Sequence, residues 1–276
     1  MTILVTGATG NIGRKVVDEL LARGTKGIRA LTVDPVKAAL PDEVEVVRGW
    51  VRRPETLAGA LQGVERMYLA PVPDTVDEVL ALTRAAGVRH IVDLSGEPES
   101  WWGSIATAVE ASGPDWTHLW PGDFMENTGI WARQIRETGA VREPDPDAGS
   151  TPIAMDDIAA VAAVALTSDD HLGRAYSLTG PEKLSRAQLV AGLATALGRE
   201  IEFVRADRAE TIRALTPTMG DTAVWYVDNV LIGLDEHTAL PNQVAAEILG
   251  RPATTFTEWA ARYAAEFFDP AAGDTA

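Results

Sequence analysis

The first thirteen residues constrain the fold more than any other part of the chain. An apolar run, ILV at residues 3–5, leads into Gly7, Gly10 and Gly13, and a helical pattern begins at once. This order is typical of a dinucleotide-binding fingerprint: the glycines turn the chain, let backbone approach a pyrophosphate, and bring helix close to strand. The helix N-terminus then offers unpaired N–H groups to phosphate. The alternative is a plain βα turn, which also favours glycine, but the flanking strand and helix favour the nucleotide interpretation.

Composition narrows the function classes. The 276 residues are 46% hydrophobic, carry a formal net charge of −16 and include no cysteine. An acidic surface repels phosphate backbones and anionic lipid, so we expect neither nucleic-acid nor membrane binding. Without cysteine there is no disulfide or thiolate site, and no histidine pair has metal-ligand spacing, so we expect no metal. No signal peptide or long apolar run is evident. We expect a cytoplasmic monomer or homodimer with a small-molecule substrate.

Strands and helices alternate along the first part of the chain. This alternation predicts an α/β fold, a Rossmann-type doubly wound parallel sheet, with a smaller, mainly helical C-terminal substrate lobe. We place the Rossmann domain at residues 1–150, completed by 151–180, and the lobe at 181–276. Apolar runs predict strands at 28–33, 44–47, 67–69, 91–94, 117–120 and 176–178. Helical patterns fall at 54–61, 76–86, 104–111, 126–138, 157–166, from 186 onwards and at 257–268.

Ligands of such sheets bind beyond the carboxyl ends of the strands, near the switch in strand order. Several segments follow predicted strands and are therefore expected to converge on one cleft. They are 7–13, 32–34, Trp50, 70–71, Ser95 and 120–124.

An ordered series of motifs runs along nearly the whole chain, from Met1 to about Phe268. TGATGNIGR is followed by RALTVDP, RPETLAGALQGVERMYLAP, GVRHIVDLSG, PGDFMEN, DDIAAVAAVAL, YSLTGPEKLSRAQL and ILGRPATTFTEWA. In order and spacing the series resembles the NmrA-like atypical short-chain dehydrogenases/reductases, a group that includes NAD(P)H-dependent quinone and azo-dye reductases.

This resemblance implies a nicotinamide cofactor, NADP or NAD, lying across the strand ends, with NADPH favoured by the family rather than by residues. The cofactor contacts are then expected at Gly7, Thr9, Gly10, Asn11, Ile12, Gly13, Thr32, Val33, Asp34, Trp50, Ala70 and Pro71.

The chain also departs from this family and from the wider superfamily. The superfamily's proton-donating tyrosine has a lysine four residues later, and none of the four tyrosines here has one. Val33 and Trp120 stand where arginines are common in the family, Trp50 where an aspartate is frequent, and Trp102 where a histidine or lysine is frequent. Hydride transfer does not need the tyrosine–lysine pair when geometry is right and the proton comes from solvent or the substrate's enol.

Two interpretations of Trp50, Trp102 and Trp120 are open. The indoles line a pocket for a planar aromatic substrate, with Trp50 stacking on adenine, or they fill the cleft as hydrophobic packing. The predicted substrate pocket comprises Ser95, Trp102, Trp120, Phe124, Met125 and Trp225, although for Met125 a core position is favoured.

Ser95 is the predicted catalytic residue, orienting a substrate carbonyl, and a turn serine bonded to its own backbone is the alternative. Asp93 is expected to be a buried acceptor. His118 is expected to be a core imidazole pointing away from Trp120.

Three functions remain open. The leading hypothesis is an NAD(P)H-dependent oxidoreductase, in secondary metabolism, acting on a carbonyl, enone or quinone of a bulky apolar or aromatic molecule. The second is a cofactor-independent isomerase, cyclase or lyase that reuses the cleft. The third is a nucleotide-sensing regulator without catalysis.

Overall fold

The computed structural model describes residues 1–100, 102–232 and 239–268. The chain forms two compact units. The first unit comprises Met1–Pro121, Met155–Leu178 and Val244–Pro252. The second unit comprises the described residues of 122–154, 179–243 and 253–268. The parts of the predicted lobe at 233–238 and 269–276 lie outside the described residues.

Eleven strands are found within the described residues. They are β1 (Ile3–Val5), β2 (Ile28–Thr32), β3 (Glu45–Arg48), β4 (Arg66–Leu69), β5 (His90–Leu94), β6 (Asp115–Pro121), β7 (Ala140–Glu143), β8 (Gly149–Ser150), β9 (Arg174–Leu178), β10 (Leu184–Ser185) and β11 (Glu202–Arg205).

The α-helices of the same residues number ten. They are α1 (Asn11–Ala22), α2 (Val76–Ala85), α3 (Gly103–Ala111), α4 (Ala132–Thr138), α5 (Met155–Thr167), α6 (Arg186–Leu197), α7 (Arg208–Met219), α8 (Thr222–Tyr226), α9 (Val244–Leu249) and α10 (Phe256–Phe268).

The first unit is built on a seven-stranded parallel sheet in the order β3-β2-β1-β4-β5-β6-β9. Helices α2 and α3 pack on the face that presents Leu4, Leu31, Met67 and Ile91, and α5 packs with α1 and with β4, β5 and β6. Strand order reverses between β1 and β4. The predicted Rossmann-type sheet is therefore confirmed, and its switch point lies beside the glycine-rich loop.

The unit boundaries differ from the predicted division of the chain. Residues 122–154 group with the second unit because β7 pairs in parallel with β11, register Ala140 with Glu202. Residues 244–252 group with the first unit because α9 packs against α5 and β9. Neither association has a local signal in the sequence.

Two predicted helices are modified. Residues 54–61 form only a 3₁₀ turn, Pro54–Thr56, followed by turns. The Thr56 hydroxyl bonds to the Arg53 carbonyl and accepts from the Trp50 N–H, at 2.7 and 3.0 Å, and such side-chain bonds compete with a helix. The predicted helix 126–138 begins as a 3₁₀ segment, Met125–Trp131, before α4. The capping box of Ser185 and Gln188 at α6 is confirmed.

The second unit has its own aromatic core. Trp131, Trp259 and Phe268 are fully buried there, with aliphatic side chains of α6 around them. A buried ion pair joins Arg186 to both oxygens of Glu143 at 2.7 Å, and Trp131 donates to the same carboxylate. Sequence inspection missed this cluster, because its members are spread over 56 residues without a motif. None of the described helices combines the length and apolarity needed to cross a bilayer.

Candidate active site

The glycine-rich loop forms a tight backbone turn after β1. Gly7 has a φ of +60°, a conformation that favours glycine. A Cβ on Gly13 would overlap the Gly7 carbonyl, and a Cβ on Gly10 would lie 3.2 Å from the same oxygen. The loop therefore needs glycine at 13 for helix packing and tolerates little bulk at 10.

The N-terminus of α1 is open to an anion. Gly10 precedes the helix as its N-cap, no side chain caps it, and the first turn contains no acidic residue. Thr9, Gly10 and Asn11 are exposed, whereas Ile12 is buried beneath them. The first N–H groups and the positive end of the helix dipole thus face the loop's accessible rim, which fits a phosphate group.

Hydrogen bonds draw the ends of neighbouring strands to this loop. The Thr6 hydroxyl accepts from the Ala70 N–H after β4 at 2.8 Å. The Thr9 and Thr32 hydroxyls are 3.2 Å apart, and the Gly49 N–H donates to the Thr32 carbonyl at 2.9 Å. The ends of β1, β2, β3 and β4 therefore meet where the sequence predicted a cleft. Thr6 was not among the predicted residues.

The end of β2 presents an apolar side chain. Val33 is 55% exposed. Asp34 accepts from the backbone N–H groups of Val36 and Lys37 at 3.1 and 3.4 Å, and its other oxygen lies 3.9 Å from the Lys37 ammonium group. The Asp34 carboxylate is thus engaged in its own turn, which weakens it as an acceptor for a ribose hydroxyl.

Trp50 follows β3 and is 42% exposed. Its ring centroid lies 5.9 Å from the Arg52 guanidinium carbon, within the range of a cation–π contact. Because Gly49 is bonded to Thr32, the indole stands beside the end of β2. A half-exposed ring at this place can stack on a flat ligand.

Ser95 and Trp120 are joined across the ends of β5 and β6. The Trp120 indole N–H donates to the Ser95 hydroxyl oxygen at 3.2 Å, and the Ser95 N–H donates to the Leu119 carbonyl at 3.1 Å. The turn-serine alternative, in which Ser95 bonds to its own backbone, is not observed. Trp102 is 43% exposed, and its Cβ lies 2.9 Å from where a Cβ on Gly96 would stand, so it flanks the residue after Ser95.

Asp93, His118 and Glu110 form a chain beneath this pair. His118 is fully buried, with Nδ1 2.6 Å from Asp93 Oδ2 and Nε2 3.3 Å from Glu110 Oε1. The expectation that Asp93 is a buried acceptor is confirmed. The expectation that His118 points away from Trp120 is wrong: their rings stack at 6.0 Å, because residues two apart on a strand share a face.

Tyr68 and Tyr226 offer no ready acid. Tyr68 is fully buried, desolvation raises the pKa of its hydroxyl, and that oxygen has no hydrogen-bond partner within the described residues. In the second unit, burial raises the pKa of Tyr226 to about 12. Neither replaces the missing tyrosine–lysine pair.

Three predicted pocket residues belong to the second unit. Phe124 is half-buried and Trp225 is 57% exposed. Met125 is 1% exposed and packs in the core of that unit, the position that the sequence favoured for it. Its backbone N–H donates to the Ile153 carbonyl, which holds it there. Met125 therefore offers no accessible surface to a ligand. The described residues contain no group of three histidines or carboxylates that could hold a metal ion.

Comparisons with known proteins agree with this geometry. An NAD(P)H-binding family matches residues 7–97. The chain is 36% identical to an NAD(P)H azoreductase of Xenophilus azovorans, over 96% of this chain and 99% of the relative. It is 35% identical, with the same coverage, to a (4-alkanoyl-5-oxo-2,5-dihydrofuran-3-yl)methyl phosphate reductase of Streptomyces griseus.

A solved structure has the same fold. The NADPH-dependent quinone oxidoreductase of Escherichia coli in complex with NADPH superposes with a TM-score of 0.82 at 25% identity, covering 95% of this chain and 99% of that one. With the glycine-rich loop at the switch point, these similarities establish that the chain belongs to the NmrA-like atypical short-chain dehydrogenases/reductases, whose N-terminal domain binds NAD(P)H.

Proposed function

We propose that the protein is an NAD(P)H-dependent reductase of quinones, azo compounds or conjugated carbonyls on aromatic or bulky apolar molecules. The observation that carries the proposal is the uncapped N-terminus of α1 behind an exposed glycine-rich loop at the switch point. The names of the relatives supply the reaction class: an azoreductase, a quinone oxidoreductase and a reductase of an alkanoyl-oxo-dihydrofuranyl methyl phosphate.

The residues present fit a nicotinamide dinucleotide. The loop residues Gly7, Thr9, Gly10, Asn11, Ile12 and Gly13 would hold the pyrophosphate. The adenosine end would lie over Thr32, Val33, Asp34 and Trp50, and Ala70 and Pro71 would face the nicotinamide end. When bound, the reduced nicotinamide supplies a hydride. The reaction is NAD(P)H + H⁺ + quinone giving NAD(P)⁺ + hydroquinone.

Ser95 would anchor the substrate's acceptor atom, and Trp102 and Trp120 would flank a planar ring. The half-exposed indole of Trp102 and the position of Ser95 at the end of β5 support these assignments. Phe124 and Trp225 stay predicted pocket residues. The proton comes from solvent, because burial raises the pKa values of Tyr68 and Tyr226 and makes both of them weaker acids. Neither tyrosine has a lysine four residues later.

Oxidation of the cofactor tests the proposal. Purified protein is mixed with NADPH or NADH and 1,4-naphthoquinone or an azo dye, and the absorbance of reduced nicotinamide is followed. We expect acceptor-dependent oxidation, and thermal stabilisation worth about 2.7 kcal/mol at a hundredfold excess of nucleotide over Kd. Stabilisation without oxidation of any acceptor would support a nucleotide-sensing regulator. Substrate turnover without nucleotide would support a cofactor-independent enzyme.

A further inference from the structure

We propose that Trp120, held in place by the buried His118, fixes the Ser95 hydroxyl as a hydrogen-bond donor and so selects substrates by an acceptor atom. Trp120 and His118 position Ser95 in this proposal, and Ser95 is the group that contacts the acceptor atom of the substrate, whose ring Trp120 flanks. The inference rests on the proposed function and specifies how its substrate is recognised.

The hydrogen-bonding partners of Ser95 determine whether its hydroxyl is available as a donor or as an acceptor. A serine hydroxyl has one donor hydrogen and two acceptor lone pairs, whereas an indole N–H can only donate. Trp120 therefore occupies an acceptor position of Ser95 Oγ, at 3.2 Å. Within residues 1–100, 102–232 and 239–268 no atom accepts the Ser95 hydrogen. The hydroxyl is left to donate to a carbonyl, quinone or azo acceptor.

The indole is itself held by the histidine. The rings of His118 and Trp120 are nearly parallel, with an interplanar angle of 9°. Asp93 Oδ2 and Glu110 Oε1 lie 2.6 and 3.3 Å from the two nitrogens of the His118 ring, and these contacts restrict its rotation about χ2. Asp93 pairs with His118 in the β5–β6 register, and the Ser95 N–H continues that ladder to Leu119. Backbone and side chains thus fix Ser95 and Trp120 together.

The arrangement has a consequence for the reaction. Hydride arrival leaves negative charge on the acceptor atom, and a hydrogen bond already aimed at that atom strengthens as the charge develops. Loss of the Ser95 hydroxyl's fixed orientation should therefore lower kcat more than it raises KM.

A double-mutant cycle tests the proposal. With 1,4-naphthoquinone and NADPH, we expect Ser95→Ala to lower kcat by about 10–100-fold. Trp120→Phe keeps the ring and loses the donor, and we expect a loss of about 5–10-fold. His118→Gln removes the ring that stacks on Trp120 and should also lower kcat. In the Ser95→Ala background Trp120→Phe and His118→Gln should have no further effect on kcat. Both changes reach the acceptor atom through Ser95, and Phe keeps an aromatic ring beside the substrate. Trp259→Phe also loses an indole bond, to Glu126 at 3.0 Å, and serves as the matched control with unchanged kcat.

A second readout does not depend on activity. The indole ¹⁵N–¹H resonance of Trp120, identified as the signal lost in Trp120→Phe, should shift in Ser95→Ala and in His118→Gln, while that of Trp259 stays in place. An unmoved Trp120 signal in Ser95→Ala would overturn the proposal, as would a Trp120→Phe loss that persists without Ser95. If wild-type protein oxidises NADPH no faster with 1,4-naphthoquinone or an azo dye than without them, while the Trp120 signal shifts as expected, the proposed function fails and the geometry stands.

Discussion

The two ends of the candidate site present different kinds of chemical group to a ligand. Around the glycine-rich loop the ligand-facing groups are backbone N–H groups, set by Gly7, Gly10 and Gly13. At the ends of β5 and β6 they are side chains, Ser95 and Trp120, supported by the buried His118. The backbone end follows the family pattern, and the side-chain end departs from it. The glycine positions of the loop thus restrict which residues can replace them, while the side chains at the reaction end can differ within one fold.

The largest expected effect lies at the backbone end. Gly13→Ala places a Cβ against the Gly7 carbonyl, so α1 must shift away from the loop. Overpacking of this kind costs about 1–3 kcal/mol, and a displaced cradle should weaken NADPH binding by about 100-fold. Binding titration and thermal unfolding measure both. Gly59→Ala is the control, because a Cβ there meets nothing within 4 Å. Wild-type affinity in Gly13→Ala would contradict the account of the loop.

A second contrast lies within β5. His90, its first residue, is buried and contributes to stability, whereas Ser95, which follows its last residue, belongs to the candidate site. His90 is 2% exposed, its Nε2 lies 2.8 Å from the Thr117 hydroxyl, and burial, aided by Arg66, lowers its pKa to about 4. Above the unfolded pKa of 6.5 both states are neutral and the histidine adds no pH dependence. As pH falls below 6.5 the unfolded chain binds the proton first, and stability is lost down to the folded pKa.

We therefore expect this histidine to remove roughly 2 kcal/mol of stability between about pH 7 and pH 5. Chemical denaturation at the two pH values measures the change, which should shrink in His90→Asn. His171→Asn should retain most of it, because His171 is less buried. An identical loss of stability in wild type and His90→Asn would refute the assignment.

A charge at the end of β2 should sharpen cofactor choice. Val33→Arg puts a guanidinium where a forked contact with a 2′-phosphate is possible, and we expect NADPH affinity relative to NADH to rise by about tenfold. Val36→Arg adds the same charge at a residue that is 92% exposed. Competition titration of 2′,5′-ADP against 5′-AMP gives the same ratio without turnover. Equal changes in both variants would point to general electrostatics instead of a specific contact.

The smallest effect is expected for stacking at the adenine end. Trp50→Leu removes a half-exposed ring while keeping an apolar side chain, so NADPH binding should weaken by about 3–10-fold. Its kcat at saturating NADPH should be unchanged, in contrast to Ser95→Ala. Quenching of tryptophan fluorescence on nucleotide binding, present in wild type and reduced in the variant, is the direct measurement. Unaltered affinity would favour the space-filling interpretation of Trp50.

Sequence alone predicted the turn and strands of the backbone end well, because Gly7 has a positive φ, a Cβ on Gly13 would overlap backbone, and apolar runs mark buried parallel strands. The side-chain end was harder, because its contacts join residues of different strands and helices. Asp93, Glu110 and His118 meet only through the β5–β6 register and the packing of α3. The face shared by His118 and Trp120 was nonetheless readable from their spacing. The assignment of 122–154 to the second unit depends on β7 pairing with β11, which no local pattern reveals.

Single-turnover oxidation of C4-deuterated NADPH tests the central claim most directly. Enzyme preloaded with NADPH, or with NADPH carrying deuterium at C4, is mixed rapidly with 1,4-naphthoquinone, and the loss of reduced nicotinamide is followed. We predict oxidation in the first turnover, slower with deuterium, and slower still in Ser95→Ala with the nucleotide affinity unchanged. Tight binding of NADPH without oxidation by this quinone or by any azo acceptor would contradict the claim that the glycine-rich cradle serves hydride transfer.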